Sequence, residues 1–459
     1  MAADGWNARR VGLTISALSL GTTLNALNSS MIAVALLSLQ HDFGLSIAAV
    51  TWVITVFYIA STVAQPLMGR MADAFGARRV FVAGMVLVVV AGAIAPLGGF
   101  ELVLVARGIM AIGTSVAFPA AVALVGPLAH ASGASPPRLL ARIQIANTTA
   151  AALGPVIGGL LIALAGWPAI FLVNIPLALA ALVGVLTLAP PDEPRGAVSP
   201  AAVMRVLDPA GVVAFTVAVV SLLVAALGAA GEALWLLLAI GAVALALFVW
   251  RERRARFPFI DVRMLAANRA LTWTYLGFTV FAALYYVAFF GLPQFLESYG
   301  GYSTAIVGLL MLPLSGMTIA LAPFVARTID RRGLAPVLIG TGILLLVATV
   351  ALGIGVITIA PVWILVMTAV MGIPYCMGSL AMTEAVRRAA PPDAVGVASG
   401  LLQSTRYLGA IAATVVLGRM LGGEVDAAAW GGVVLAAVGI GIAHLAVALV
   451  GASAFRRPA

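Results

Sequence analysis

Two arginines, Arg107 and Arg406, stand inside long apolar runs. A charge near the middle of a bilayer costs at least about 2.5–3.5 kcal/mol, so such a residue is expected to face a cavity and act there. Arg107 lies six residues past Glu101, about 9 Å along a helix from that acidic end. Snorkelling to the nearer interface is the other way to tolerate it. For Arg406 the competing role is a pairing or carbonyl contact between helices. Acids at similar depth are scarce. Glu384 is the best remaining one, and a local pairing with Arg387 and Arg388 competes with a proton-carrying role. His444 lies in an apolar run, where neutral packing competes with proton transfer. His41, His130 and His444 are scattered, and no helical pair of acids exists, so an intramembrane enzyme or metal centre is not expected. One cysteine, Cys376, excludes a disulfide within the chain.

These residues need elements to hold them, and composition says which. Of 459 residues, 63% are hydrophobic and 9% charged. A soluble domain carries about 25% charged residues, so this chain could not cover a water-facing surface. About 20 apolar residues span a bilayer. Fourteen such runs are present, near 11–39, 47–68, 80–98, 101–128, 140–165, 168–190, 208–229, 233–250, 270–295, 303–325, 336–355, 361–386, 396–420 and 430–452. The first runs too long for a cleaved signal peptide and reads as a spanning helix. The net charge is +9, and every basic residue is arginine. The arginines cluster between apolar runs, which argues for membrane topology and against nucleic acid as a partner.

Placing both termini inside puts Arg70, Arg78, Arg79, Arg138, Arg142, Arg195, Arg205, the Arg251–Arg256 cluster, Arg327, Arg331, Arg332, Arg387 and Arg388 in inner connections. Asp42, Glu101, Glu232, Glu297, Glu424 and Asp426 then lie outside, with Arg419 the basic exception. The chain also repeats itself. Pro66, Arg70, Asp73 and Gly76 recur as Pro323, Arg327, Asp330 and Gly333, each 257 positions later. Both copies follow the second span of a six-span half only if two spans intervene. The expected layout is a bundle of six over 1–190, a linker and two inserted spans over 191–255, and a second bundle over 256–459. Asp73 sits at a helix end, where it can meet arginine or helix amides and latch the halves together.

Polar residues on the apolar runs are candidates for a substrate cavity: Asn25, Asn28, Tyr58, Arg107, Gln144, Asn147, Tyr285, Tyr375 and Gln403. For each, helix packing is the competing role. With arginine but no deep carboxylate, such a lining suits neutral or anionic amphiphiles better than cations.

The segment GRMADAFGARR, Gly69 to Arg79, resembles the signature loop between helices 2 and 3 of the major facilitator superfamily. LVLVARGIMAIGTS resembles its helix 4 motif around a buried arginine, departing at Met110 and Ala111 and keeping Gly113. GPVIGG, Gly154 to Gly159, resembles the antiporter-linked motif of helix 5. LNSSMIAVALL, WVITVFYIASTVAQPLMGR, GWPAIFLVNIP, FPFIDVRML and PPDAVGVASGLLQSTRYLG are similar to the fourteen-helix drug–proton antiporters, and the likeness covers most of the chain. It implies an all-α polytopic fold of two six-helix bundles plus two inserted helices. It implies a secondary active exporter of drugs, antibiotics or amphiphilic metabolites, working by alternating access with protons as the counter-ion. Arg107 and Glu384 would couple protons, and Gly69, Asp73, Gly76, Arg78, Asp330, Gly154 and Pro155 would form the conformational gate. No cofactor is expected. The expected setting is the cell membrane, as a monomer among lipids with both termini cytoplasmic.

One departure matters. That branch commonly carries aspartate where this chain has Asn28, and an amide cannot exchange a proton near neutral pH. An uncoupled facilitator of a neutral or anionic metabolite is therefore the alternative.

Overall fold

The computed structural model describes residues 8–45, 47–50, 52–192, 208–226, 233–255, 258, 260, 262–302, 304–355, 359–421 and 426–455. Most of the expected linker, with Arg195 and Arg205, lies outside the described residues, as do Glu232, Arg256 and Glu424.

Hydrocarbon offers no water to backbone amides, so a lipid-exposed crossing segment must close its own hydrogen bonds. Among the described residues the regular elements are all helical. The long ones are α1 (Ala8–Phe43), α2 (Trp52–Phe75), α3 (Ala77–Ile94), α4 (Phe100–Ser115), α5 (Ala117–Ser132), α6 (Pro136–Ala165), α7 (Asn174–Leu188), α8 (Pro209–Ala226), α9 (Leu234–Glu252), α10 (Arg269–Ser298), α11 (Thr304–Arg332), α12 (Leu334–Gly355), α13 (Pro361–Ala389), α14 (Val395–Met420) and α15 (Ala427–Ala452). Each apolar run of the sequence overlaps one of these helices among the described residues. The run near 101–128 is an exception in form: α4 and α5 follow each other across Val116 and together make a 33-residue span.

Eleven spans among the described residues are long and apolar enough to cross a membrane, and bent α1 makes twelve. The apolar part of α8, Pro209–Leu222, is shorter. In α14 the polar sequence Gln403, Ser404, Thr405, Arg406 lowers the hydropathy of the middle turns.

The chain divides into two compact units. Unit 1 is Met1–Val212 with Ala390–Ser404, and unit 2 is Val213–Ala389 with Thr405–Ala459. In unit 1, α2 packs on α4, α3 on α4 and α7, and α1 on α6 and α7. In unit 2, α11 packs on α13, α12 on α13 and α15, and α10 on α15. Shifting by the sequence repeat turns α2, α3, α4, α7 and α1 into α11, α12, α13, α15 and α10, so the pairings recur. The repeat is architectural as well as textual.

The core of unit 1 gathers Val53, Phe57, Val103, Met110, Trp167 and Phe171. Trp167 Nε1 donates to Asp42 Oδ2 at 2.9 Å. Inside unit 2, Trp430 stacks on Phe295 with centroids 4.7 Å apart. The inserted pair meets through Gly241 against Leu222 and through Phe215 and Phe248, 5.4 Å apart. Leu164, Trp235 and Leu435 are each at least 75% exposed. In water such a surface would be a liability; in a bilayer it is the surface that meets acyl chains.

Candidate functional site

The last turn of α2 does chemistry with helix ends. Asp73 Oδ1 accepts the Gly396 N–H at 2.8 Å, and Oδ2 accepts the Val397 N–H at 2.7 Å. A helix N-terminus offers unpaired amides and the positive end of its dipole, so one carboxylate satisfies two donors of α14. Close approach makes this reachable. A Cβ on Gly69 would lie 2.2 Å from the Gly396 carbonyl oxygen, and one on Gly400 would lie 2.2 Å from that of Gln65. Ser404 Oγ also donates to the Thr62 carbonyl at 2.7 Å.

Gly76 turns the chain into α3 with φ 103°, where a side chain is strained and a Cβ would lie 2.2 Å from Asp192 Cγ. Asp192 accepts the N–H groups of Arg78 at 3.1 Å and Arg79 at 2.9 Å, so it caps α3. The Arg78 guanidinium donates to the Leu186 carbonyl. Arg78 thus works at the α3–α7 junction. Sequence reading missed Asp192, because its partners are 113 and 114 positions away and no spacing reports them.

Among the intramembrane candidates of unit 1, Arg107 is 1% exposed. Its Nε donates to the Val53 carbonyl at 3.1 Å, and its guanidinium lies 4.2 Å over the Phe57 ring. Tyr58 packs beside Phe57, with centroids 6.2 Å apart. Asn28, buried, forms a reciprocal amide pair with Asn174: Asn28 Nδ2 donates to Asn174 Oδ1 at 2.6 Å, and Asn174 Nδ2 donates back at 3.2 Å. Carbonyls of Leu24 and Ile170 take further N–H bonds, at 2.8 Å each. Asn25 Nδ2 donates to Thr114 Oγ1 at 3.2 Å, Thr22 Oγ1 to Asn147 Oδ1 at 2.8 Å, and Gln144 Nε2 to Thr148 Oγ1 at 3.2 Å. Gln403 is buried on the part of α14 that belongs to unit 1. Gly154 brings α6 onto α1: a Cβ there would lie 1.8 Å from Ser30 Oγ. Pro155 follows it inside α6.

Unit 2 treats its polar groups differently. Glu384 is fully buried and receives three bonds: Arg387 Nε at 2.6 Å, Arg387 Nη2 at 2.7 Å and Arg388 Nε at 2.6 Å. The local pair expected from sequence is present. Asp330 lies near the end of α11, two residues before its last. Tyr285 and Tyr375 stack at 4.0 Å between centroids, joining α10 to α13. His444 Nδ1 meets the Gly277 carbonyl at 3.2 Å, and its ring lies 5.8 Å from Phe281. Among the described residues there is no cluster of three or more His, Cys, Asp or Glu fit to hold a metal.

The structure therefore joins Arg107 to Phe57 and Val53, Asn28 to Asn174, and Tyr285 to Tyr375. Asn25, Gln144 and Asn147 each bond to a threonine.

Comparison with known proteins completes the case. A family model described as Major Facilitator Superfamily matches residues 18–414. The chain is 37% identical over 415 residues to the uncharacterized MFS-type transporter YwoD of Bacillus subtilis, covering 90% of this chain and 91% of that one. It is 29% identical over 436 residues to the tetracenomycin C resistance and export protein of Streptomyces glaucescens, covering 90% and 76%. Further relatives at 24–29% identity are named as multidrug or antibiotic resistance proteins or as a multidrug transporter. In fold it is similar to the human organic anion transporter MFSD10, with a TM-score of 0.65, 17% identity and coverage of 96% and 99%. With its repeated helical pairings and a family match across most of its length, the chain belongs to the Major Facilitator Superfamily, a family of membrane transporters.

Proposed function

We propose that this protein is a secondary active exporter of drugs, antibiotics or amphiphilic metabolites, working by alternating access with proton antiport. The carrying observation is the Asp73 contact. It closes α2 onto the first turn of α14 with two hydrogen bonds that one movement can open together. Export is supported by the 29% identical relative named for resistance and export, and by the antiporter-like Gly154–Pro155 segment seated on α1. In this reading the chain is a fourteen-span member of the drug–proton antiporter branch. α8 and α14 supply the two spans beyond twelve. Both termini are cytoplasmic, the membrane is the cell membrane, and the working unit is a monomer. The six-helix bundles occupy 1–190 and 256–459, with the inserted pair over 191–255.

Arg107 and Glu384 carry the coupling. Arg107 is a buried cation whose one hydrogen bond among the described residues goes to a backbone carbonyl. Substrate and a protonated partner compete for its remaining N–H groups. Asn25, Asn28, Tyr58, Gln144, Asn147, Tyr285, Tyr375 and Gln403 line the path. Gly69, Asp73, Gly76, Arg78, Asp330, Gly154 and Pro155 form the gate. One observation favours uncoupled facilitation instead: the Asn28–Asn174 amide pair holds no exchangeable proton where the branch commonly has an acid.

A resistance screen of an overexpressing strain first selects a substrate. Proteoliposomes with an imposed pH gradient then decide between the readings. Antiport predicts uphill movement with proton counterflow, and Arg107→Ala lowers it at least about tenfold. Substrate that only equilibrates, or Arg107→Ala that couples like wild type, overturns antiport through Arg107.

A further inference from the structure

Unit 2 holds a cation, Arg406, that no carboxylate among the described residues pairs. On α10, Tyr285, Tyr286 and Phe289 fall within little more than one turn and share a stripe. Tyr375 of α13 stacks on Tyr285 at 4.0 Å and 19°, Phe289 stacks on Tyr285 at 5.4 Å and 21°, and Tyr286 meets Tyr285 edge-on at 5.2 Å and 72°. Beside this panel stands Arg406 of α14. Its guanidinium hydrogen-bonds the Tyr407 side chain, with Cζ 5.8 Å from that ring, and one turn further along α14 a Cβ on Gly409 would lie 2.6 Å from the Thr279 carbonyl oxygen of α10. Its Nε is buried with no hydrogen-bond partner, and among the described residues no carboxylate pairs with it. Glu384 is taken by Arg387 and Arg388.

A buried donor without an acceptor favours any ligand that brings one. The planar guanidinium fork fits a carboxylate or another oxyanion. Tyr285 is buried between Tyr375 and Phe289, while Tyr286 and Tyr375 are half-buried and keep ring surface against which a planar ring stacks. Tyrosine faces alone would also welcome an organic cation. The positive charge of Arg406, in a low-dielectric setting, opposes that choice.

We infer that Arg406, Tyr285, Tyr286 and Tyr375 form a recognition subsite for planar aromatic compounds bearing a carboxylate or phenolate. This rests on the exporter reading for its place in transport, and it names the class of compound that reading leaves open.

Calorimetric titration of the purified full-length protein tests it with four probes: 2-naphthoate, 2-naphthylmethanol, 2-naphthylmethylammonium and cyclohexanecarboxylate. Wild type binds 2-naphthoate at least about tenfold more tightly than each of the others. Arg406→Gln removes the preference over 2-naphthylmethanol and leaves that alcohol's affinity unchanged. Tyr375→Leu weakens 2-naphthoate and not cyclohexanecarboxylate, which keeps the test open should Arg406→Gln aggregate. Equal binding of the naphthyl probes, preference for the ammonium, an intact preference in Arg406→Gln, or no binding to monodisperse protein each overturns the subsite. Uphill transport is scored separately. Selective binding of 2-naphthoate without pH-driven uphill movement keeps the subsite and overturns antiport. Uphill movement of probes without anion preference does the reverse.

Discussion

Unit 1 and unit 2 share four helical pairings but satisfy their deep polar groups by different means. In unit 1 the partners are mostly backbone groups or amides. Asp73 meets two α14 amides, Asp192 caps α3, Arg107 meets the Val53 carbonyl, and Asn28 meets Asn174. In unit 2 the two deep charged groups rely on charged or aromatic side chains, Glu384 between two arginines and Arg406 among tyrosines, while His444 meets the Gly277 carbonyl. A backbone partner cannot titrate or leave without moving its helix, whereas a side-chain partner can be exchanged for a proton or a ligand. Unit 1 is thus suited to transmit movement, and unit 2 to exchange partners.

Removing Asp73 tests the first half of that contrast most severely. Asp73→Ala leaves two α14 amides without their carboxylate. Hydrogen bonds to a charged group contribute about 1.5–3 kcal/mol each, so a loss of about 3 kcal/mol is expected. Thermal unfolding in detergent measures it, and Asp73→Asn should lose about half. An unchanged melting temperature would mean that the helix-end contact contributes nothing.

Glu384→Gln probes the second half. It removes the shared anion of Arg387 and Arg388. Arg388 is 39% exposed, so solvent recovers part of the loss and about 1–2 kcal/mol is expected. Proton flux is the sharper measurement. If partner exchange is the role, coupling falls further than stability does. Equal losses reduce Glu384 to a structural ion pair.

The smallest effect is expected from Asn28→Ala, which strands Asn174 Oδ1 and costs about 1 kcal/mol. Stability should change while the pH dependence of transport does not, because the amide pair carries no exchangeable proton. A shifted pH profile would blur the line between the units.

Much of the fold was legible in residue order. Apolar runs marked where helices lie, because hydrocarbon leaves a lone segment no other regular conformation. The repeat at Asp73 and Asp330 anticipated the recurring pairings. The pairing of Glu384 with Arg387 and Arg388 was legible too, since three- and four-residue spacing brings helical side chains together. The site was legible only as a set of residue types. Asn28 read as a missing acid, and nothing in its neighbourhood pointed to Asn174, 146 positions away. Arg78 read as part of the gate, and no spacing announced its contacts with Asp192 and Leu186.

Sequence alone determined that this chain is a membrane-embedded helical protein with a duplicated architecture, because hydropathy and short-range periodicity are local properties. Tertiary structure decided which deep polar groups are already satisfied and which are not. Asp73 found two helix amides, Asn28 an amide twin, and Arg406 tyrosines but no anion among the described residues. Those outcomes depend on how distant helices approach, to within the reach of a hydrogen bond, and no local pattern encodes that distance.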